Sequence, residues 1–120
     1  MTGIPVEQVS CGDDFTLCLA TSGELYACGT DYQGCLGLGE DTTLLDEDQS
    51  VYVPVKIPFF ERNSLRVVKI SCGELHSIAL TDTNQVFSWG CGEYGRLGHG
   101  DEDERHEPTE VKFKLRYVFE

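Results

Sequence analysis

A near-copy of one segment within the same chain limits the fold more than any other feature. Val9-Ser10-Cys11-Gly12-Asp13-Asp14-Phe15-Thr16-Leu17-Cys18-Leu19 aligns on Ile70-Ser71-Cys72-Gly73-Glu74-Leu75-His76-Ser77-Ile78-Ala79-Leu80, an offset of 70 − 9 = 61 residues. The alignment continues without a gap through Gly29 and Gly90, Gly34 and Gly95, Leu36 and Leu97, Gly37 and Gly98, and Gly39 and Gly100. More than half of the identical positions are glycines, which mark backbone geometry rather than chemistry. Self-similarity at a fixed spacing points to stacked repeats, in which each unit covers an apolar face of its neighbour.

Between the glycines the pattern is β. Phe15 to Ala20 and His76 to Thr81 are short apolar runs. Polar turns follow at Thr21-Ser22-Gly23 and Asp82-Thr83-Asn84, then second runs at Leu25 to Cys28 and Val86 to Trp89. Such pairs read as hairpins. No sustained 3.6-residue period is present, and the glycines from Gly90 to Gly100 exclude a helix after Trp89. The expected class is all-β, a propeller or another stacked β array.

The expected units are 1–61, with an acidic loop at 40–50, and 62–114, with an acidic loop at 100–107. Gly39 to Pro54 spans 54 − 39 = 15 positions and Gly100 to Pro108 spans 108 − 100 = 8, so the first loop is seven residues longer. Leu115-Arg116-Tyr117-Val118-Phe119-Glu120 is similar to Leu65-Arg66-Val67-Val68-Lys69-Ile70, as if a third copy started at 115–120. Two copies leave their outer faces open. The chain is therefore expected to be a piece of a longer protein, with neighbouring blades or self-association covering those faces.

Composition narrows the function. Nine Lys and Arg against 21 Asp and Glu give a net charge of −12. A nucleic-acid binder needs a basic footprint to displace phosphate counterions, so that class is disfavoured. An anionic membrane surface is disfavoured for the same reason. No apolar run approaches the roughly 20 residues of a membrane-spanning helix. The first residues carry neither the basic nor the apolar stretch of a signal peptide, so an intracellular place, cytoplasmic or nuclear, is expected. Six cysteines, without a CxxC pair, are expected as free structural thiols rather than disulfides or zinc ligands.

Few residues look like chemistry. Gly90-Cys91-Gly92-Glu93-Tyr94-Gly95 fits GxGxxG, but no helix can follow it, so it reads as a repeat turn. His76 adjoins Ser77, yet its counterpart in the first copy is Phe15; a hydrogen-bonded packing histidine is expected. Asp101-Glu102-Asp103-Glu104 is a run of consecutive acids that lacks the calcium-loop pattern and reads as a solvated loop. Together with Asp46, Glu47 and Asp48 in the longer loop, these acids are the partner-binding candidates, and they call for a protein with a basic surface. Tyr94 and Arg96 join them as candidate anchors, although a turn-stabilising pair is the plainer reading. No catalytic constellation, cofactor site or metal site is expected.

These residues carry a family resemblance. Ser71 to Leu80, then Val86-Phe87-Ser88-Trp89-Gly90, then Tyr94-Gly95-Arg96-Leu97-Gly98-His99-Gly100, resemble the repeat of the regulator of chromosome condensation family. The first copy matches more loosely, with Cys28 in place of the tryptophan and Phe15 in place of the histidine. The resemblance implies blades of a seven-bladed β-propeller, each a four-stranded sheet. The wording at 11–16, 23–29 and 89–98 is similar to propellers fused to NIMA-related protein kinases, though no kinase motif lies in this chain. The function implied is a non-catalytic protein-binding or regulatory module, possible partners being a small GTPase or a kinase domain. The alternative is guanine-nucleotide exchange on a Ran-like GTPase, since the founding family member catalyses exchange on Ran and binds chromatin.

Overall fold

Alternating small and apolar residues, punctuated by glycine turns, give eight strands in the computed structural model, which describes residues 3–39 and 45–112. The strands are β1 (Val6–Cys11), β2 (Phe15–Ala20), β3 (Leu25–Thr30), β4 (Ser50–Lys56), β5 (Val67–Cys72), β6 (His76–Thr81), β7 (Val86–Gly90) and β8 (Arg105–Val111). They form two antiparallel four-stranded sheets, ordered β1-β2-β3-β4 and β5-β6-β7-β8. Even the irregularities repeat. Register shifts at Val6/Gln8 and Ala27/Gly29 recur at Val67/Lys69 and Ser88/Gly90. The third strand of each sheet runs further than expected, to Thr30 and Gly90. The segments 40–44 and 113–120, including the suggested third copy, lie outside the described residues.

One element departs from the all-β expectation. A single-turn helix, α1 (Pro58–Arg62), joins the two sheets. Pro58 sits at its first turn, where a missing N–H is tolerated. Its brevity hid it from any test of helical periodicity. It drives Phe59 and Phe60 between the sheets. Phe60 packs on Phe87 at 5.6 Å and on Trp89 at 5.9 Å between ring centroids.

Strand alternation assigns two faces to each sheet. Phe15, Leu17 and Leu19 of β2 face the second sheet and are almost wholly buried. Ser77, Ala79 and Thr81 of β6 face the first sheet and are buried too. Their counterparts on the outer faces, Thr16 and Cys18 in the first sheet and His76, Ile78 and Leu80 in the second, are only partly covered. Each sheet thus has one covered and one open face, as neighbouring blades in a larger ring do.

The junction is polar as well as apolar. Trp89, fully buried, donates its indole N–H to the Cys35 carbonyl at 3.0 Å. Ser77 Oγ donates to the same oxygen at 3.2 Å. Gly37 has φ +70, and a Cβ there would stand 2.8 Å from the Trp89 indole nitrogen. On the inner edge, Gln8 of β1 spans two backbone groups of β5: its amide donates to the Val68 carbonyl at 3.0 Å, and its oxygen accepts from the Ile70 N–H at 3.2 Å. Ser10 Oγ accepts from the Cys72 N–H at 3.0 Å. Side chains of β1 thereby satisfy the free edge of β5.

Candidate functional site

The antiparallel order places the β1–β2, β3–β4, β5–β6 and β7–β8 loops at one end of the sheets and the β2–β3 and β6–β7 turns at the other. This sorts the charge. The first end carries Asp13, Asp14, Glu74, Glu93 and the 46–48 and 101–104 runs, against Arg96 and, at the start of β8, Arg105 as its Lys or Arg among the described residues. At the second end Glu24, Glu61 and Asp82 are offset by Lys56, Arg62 and Arg66. The net negative charge of the chain is therefore concentrated on one loop face.

Within that face the candidate residues have unequal roles. Asp46 is a turn former: its Oδ1 accepts the N–H groups of Ser50 at 3.0 Å and Asp48 at 2.9 Å, and the Ser50 bond, then the Tyr52 hydroxyl, hold its carboxyl below the usual range. Glu47 and Asp48 project into solvent. The 101–104 run is exposed throughout, but three of its four acids have local partners. Asp101 pairs with Arg105 at 3.0 Å, which lowers its pKa. Glu102 accepts the Tyr94 N–H at 2.9 Å, and Glu104 lies 2.6 Å from His106. Asp103 is exposed and its carbonyl accepts from Arg105 at 3.2 Å.

Tyr94 and Arg96 flank Gly95 at the end of a single 3-10 turn, Glu93–Gly95, where GxGxxG led the sequence. Arg96 donates to the Glu93 carbonyl at 2.9 Å, and its guanidinium lies 5.9 Å from the Tyr94 ring centroid. The two form a turn-stabilising pair. Tyr94 is nevertheless 85% exposed, leaving most of its ring available to a partner.

Two Ser–His pairs fail as nucleophilic machinery. His76 and Ser77 point to opposite faces of β6, and Ser77 Oγ is spent on Cys35. His76 also corrects an expectation: its Nδ1 is buried without a hydrogen-bond partner among the described residues. Its ring instead lies over Gly73 as the Phe15 ring lies over Gly12, so the position is governed by packing. Burial, aided by Arg96, lowers its pKa. The sequence analysis missed the second pair, Ser88 Oγ and His99 Nε2 at 3.0 Å. Ser88 is buried and directs its hydroxyl proton to the Leu97 carbonyl at 2.7 Å, which leaves no base-activated nucleophile. All six cysteines are free thiols, and burial pushes Cys35 up to about 12. No group of metal-ligating side chains converges among the described residues.

Repeated register, paired glycine turns and side-by-side four-stranded blades match a known family. The profile described as the regulator of chromosome condensation (RCC1) repeat matches residues 22–80 and 83–118, and a second profile of the same description matches 6–35 and 67–96. The chain belongs to the RCC1 repeat family. Its two sheets are blades of an RCC1-type, seven-bladed propeller. Serine/threonine-protein kinase Nek9 of Mus musculus is 43% identical over 111 residues, covering 92% of this chain and 11% of the kinase. Serine/threonine-protein kinase Nek8 of Danio rerio is 36% identical, covering 92% of the chain and 14% of that protein. The chain thus spans only a small part of these curated relatives. Among solved structures, Prp20p of Saccharomyces cerevisiae, studied with its binding properties to Gsp1p and histones, superposes with a TM-score of 0.83 at 26% identity, covering 96% of this chain and 27% of that one. Yeast RCC1 (Prp20) bound by Kap60 gives 0.81 at 27% identity, covering 96% and 26%. The described residues contain no kinase fold; they form an RCC1-repeat protein-interaction module.

Proposed function

We propose that this module presents its acidic loop face to a basic surface of a small GTPase of the Ran type, as part of a guanine-nucleotide exchange propeller. The observation that carries the reading is the convergence of the acids on one end of both blades, in a fold superposable on Prp20p. Rigid sheets hold these loops in place, and a concentrated field steers a basic partner. Of the acids at 46–48 and 101–104, Glu47, Asp48 and Asp103 are exposed and outside any ion pair among the described residues, where Tyr94 is also the most exposed aromatic side chain. The division into repeats 1–61, 62–114 and an incipient third from 115 belongs to this reading, as does a nuclear or cytoplasmic place.

Release of labelled GDP from Ran, with binding measured in parallel, tests it. The expected result is binding that weakens as salt rises, with release faster than from Ran alone. Binding without faster release would reduce the function to docking. A second reading, regulation of an attached NIMA-related kinase, is favoured by the 43% identity to Nek9. Retention of such a kinase domain, with no binding of Ran, would select it.

A further inference from the structure

Between the loop ends of the two blades lies a cavity of about 230 Å³, lined by Asp14, Phe15, Thr30, Tyr32, Cys35 and Leu75. Both blades wall it, whereas the outer sheet faces await further cover. Its walls are tied by backbone bonds: Thr30 N–H to the Asp14 carbonyl at 2.8 Å, Cys91 N–H to the Leu75 carbonyl at 2.9 Å, and Asp13 N–H across to the Glu74 carbonyl at 2.9 Å. The floor is apolar, with Phe15 and Cys35 buried. Its inner polar groups are already used. Thr30 Oγ1 bonds Ser50 Oγ at 2.9 Å, and the Cys35 thiol donates to the Thr30 carbonyl at 3.2 Å.

The mouth is different. Asp14 and Tyr32 stand exposed there, and Asp14 takes part in no ion pair among the described residues. Asp13 and Glu74, the chain neighbours of the lining residues Asp14 and Leu75, are exposed carboxylates too, and no cation lines the cavity. The volume is below the roughly 300–1,000 Å³ of small-molecule sites, which favours a single side chain over a metabolite. An apolar stem followed by a cationic, planar head fits this sequence of surfaces.

We infer that the cavity receives an arginine side chain of the protein partner. The methylene stem lies on Phe15 and Leu75. The guanidinium bonds the Asp14 carboxylate and stacks on the Tyr32 ring. This rests on the protein-binding reading above and adds the anchor that the partner supplies.

The experiment titrates the full chain with acetyl-arginine amide, and separately with acetyl-norleucine amide, following backbone amide resonances by NMR. Saturable shifts at Tyr32, Cys35 and Leu75 with the arginine compound alone are expected. No shift at these residues, or equal shifts with norleucine, would overturn the inference whatever the chain does with Ran. Asp14→Asn preserves the backbone bond to Thr30 and should weaken arginine-amide binding about tenfold. Asp82→Asn, at the opposite end, should leave it unchanged. If Ran binds the chain and Asp14→Asn binds Ran equally well, this anchor fails while the protein-binding reading stands.

Discussion

Trp89 shows how much one side chain holds together. It fills the space between the blades, packs on Phe60 and donates to the Cys35 carbonyl. Trp89→Ala should lower unfolding free energy by about 3–5 kcal/mol in denaturant titrations. Trp89→Phe keeps much of the volume and loses the indole N–H, so a smaller loss of about 1–2 kcal/mol is expected. Gly37→Ala should cost about 1–2 kcal/mol from its left-handed backbone, and more from the indole it meets. His76 sets a pH dependence. Burial holds its folded pKa below the ordinary 6.5, so the unfolded chain binds the proton more tightly. Its effect is absent well above 6.5, and stability falls as pH drops through that value toward the folded pKa. His76→Phe, the residue the first repeat uses, should flatten this part of a stability–pH profile. An unchanged acid slope would contradict the account.

At the scale of elements, strand edges and loops divide the work. β1 caps β5 through Gln8 and Ser10 rather than through a backbone ladder. Gln8→Leu should therefore leave the Ile70 N–H and Val68 carbonyl without partners, and hydrogen exchange at Ile70 should quicken before that at Leu17. At the same position of the second repeat stands Lys69, which has no acceptor and cannot make the same two-way bond. Equivalent strands can therefore share a fold and differ in what they hold at their edge. The acidic loops divide likewise. Asp46 and Asp101 spend their charge on local bonds, while Glu47, Asp48 and Asp103 keep theirs for solvent or a partner.

The whole molecule is asymmetric twice over. One end is acidic and the other balanced, so association through the acidic end should slow markedly between low and physiological salt, chiefly in the on-rate. The sheets are also covered on one face and open on the other, with Ile78 and Leu80 partly bare. Taken alone, the 120-residue chain should self-associate with rising concentration in sedimentation equilibrium, and Ile78→Glu should reduce that tendency. A monomer at all concentrations would mean that the open faces need no cover.

The sequence by itself determined the repeat, the strand class and the alternation that sends His76 and Ser77 to opposite faces. Those features arise from local spacing: side chains alternate along a strand, and glycine marks each turn. It also showed Phe15 and His76 as one packing position. Only the tertiary structure decided that Trp89 and Ser77 share the carbonyl of Cys35, that Asp46 and Asp101 are partly spent, and that Phe59 and Phe60 ride a single helical turn into the junction. It alone gathered Asp14, Tyr32 and Leu75 around one cavity and collected acids from four loops on one end. These are long-range pairings, set by how two twisted sheets bury each other, and no local pattern encodes which residues then face one another across the junction.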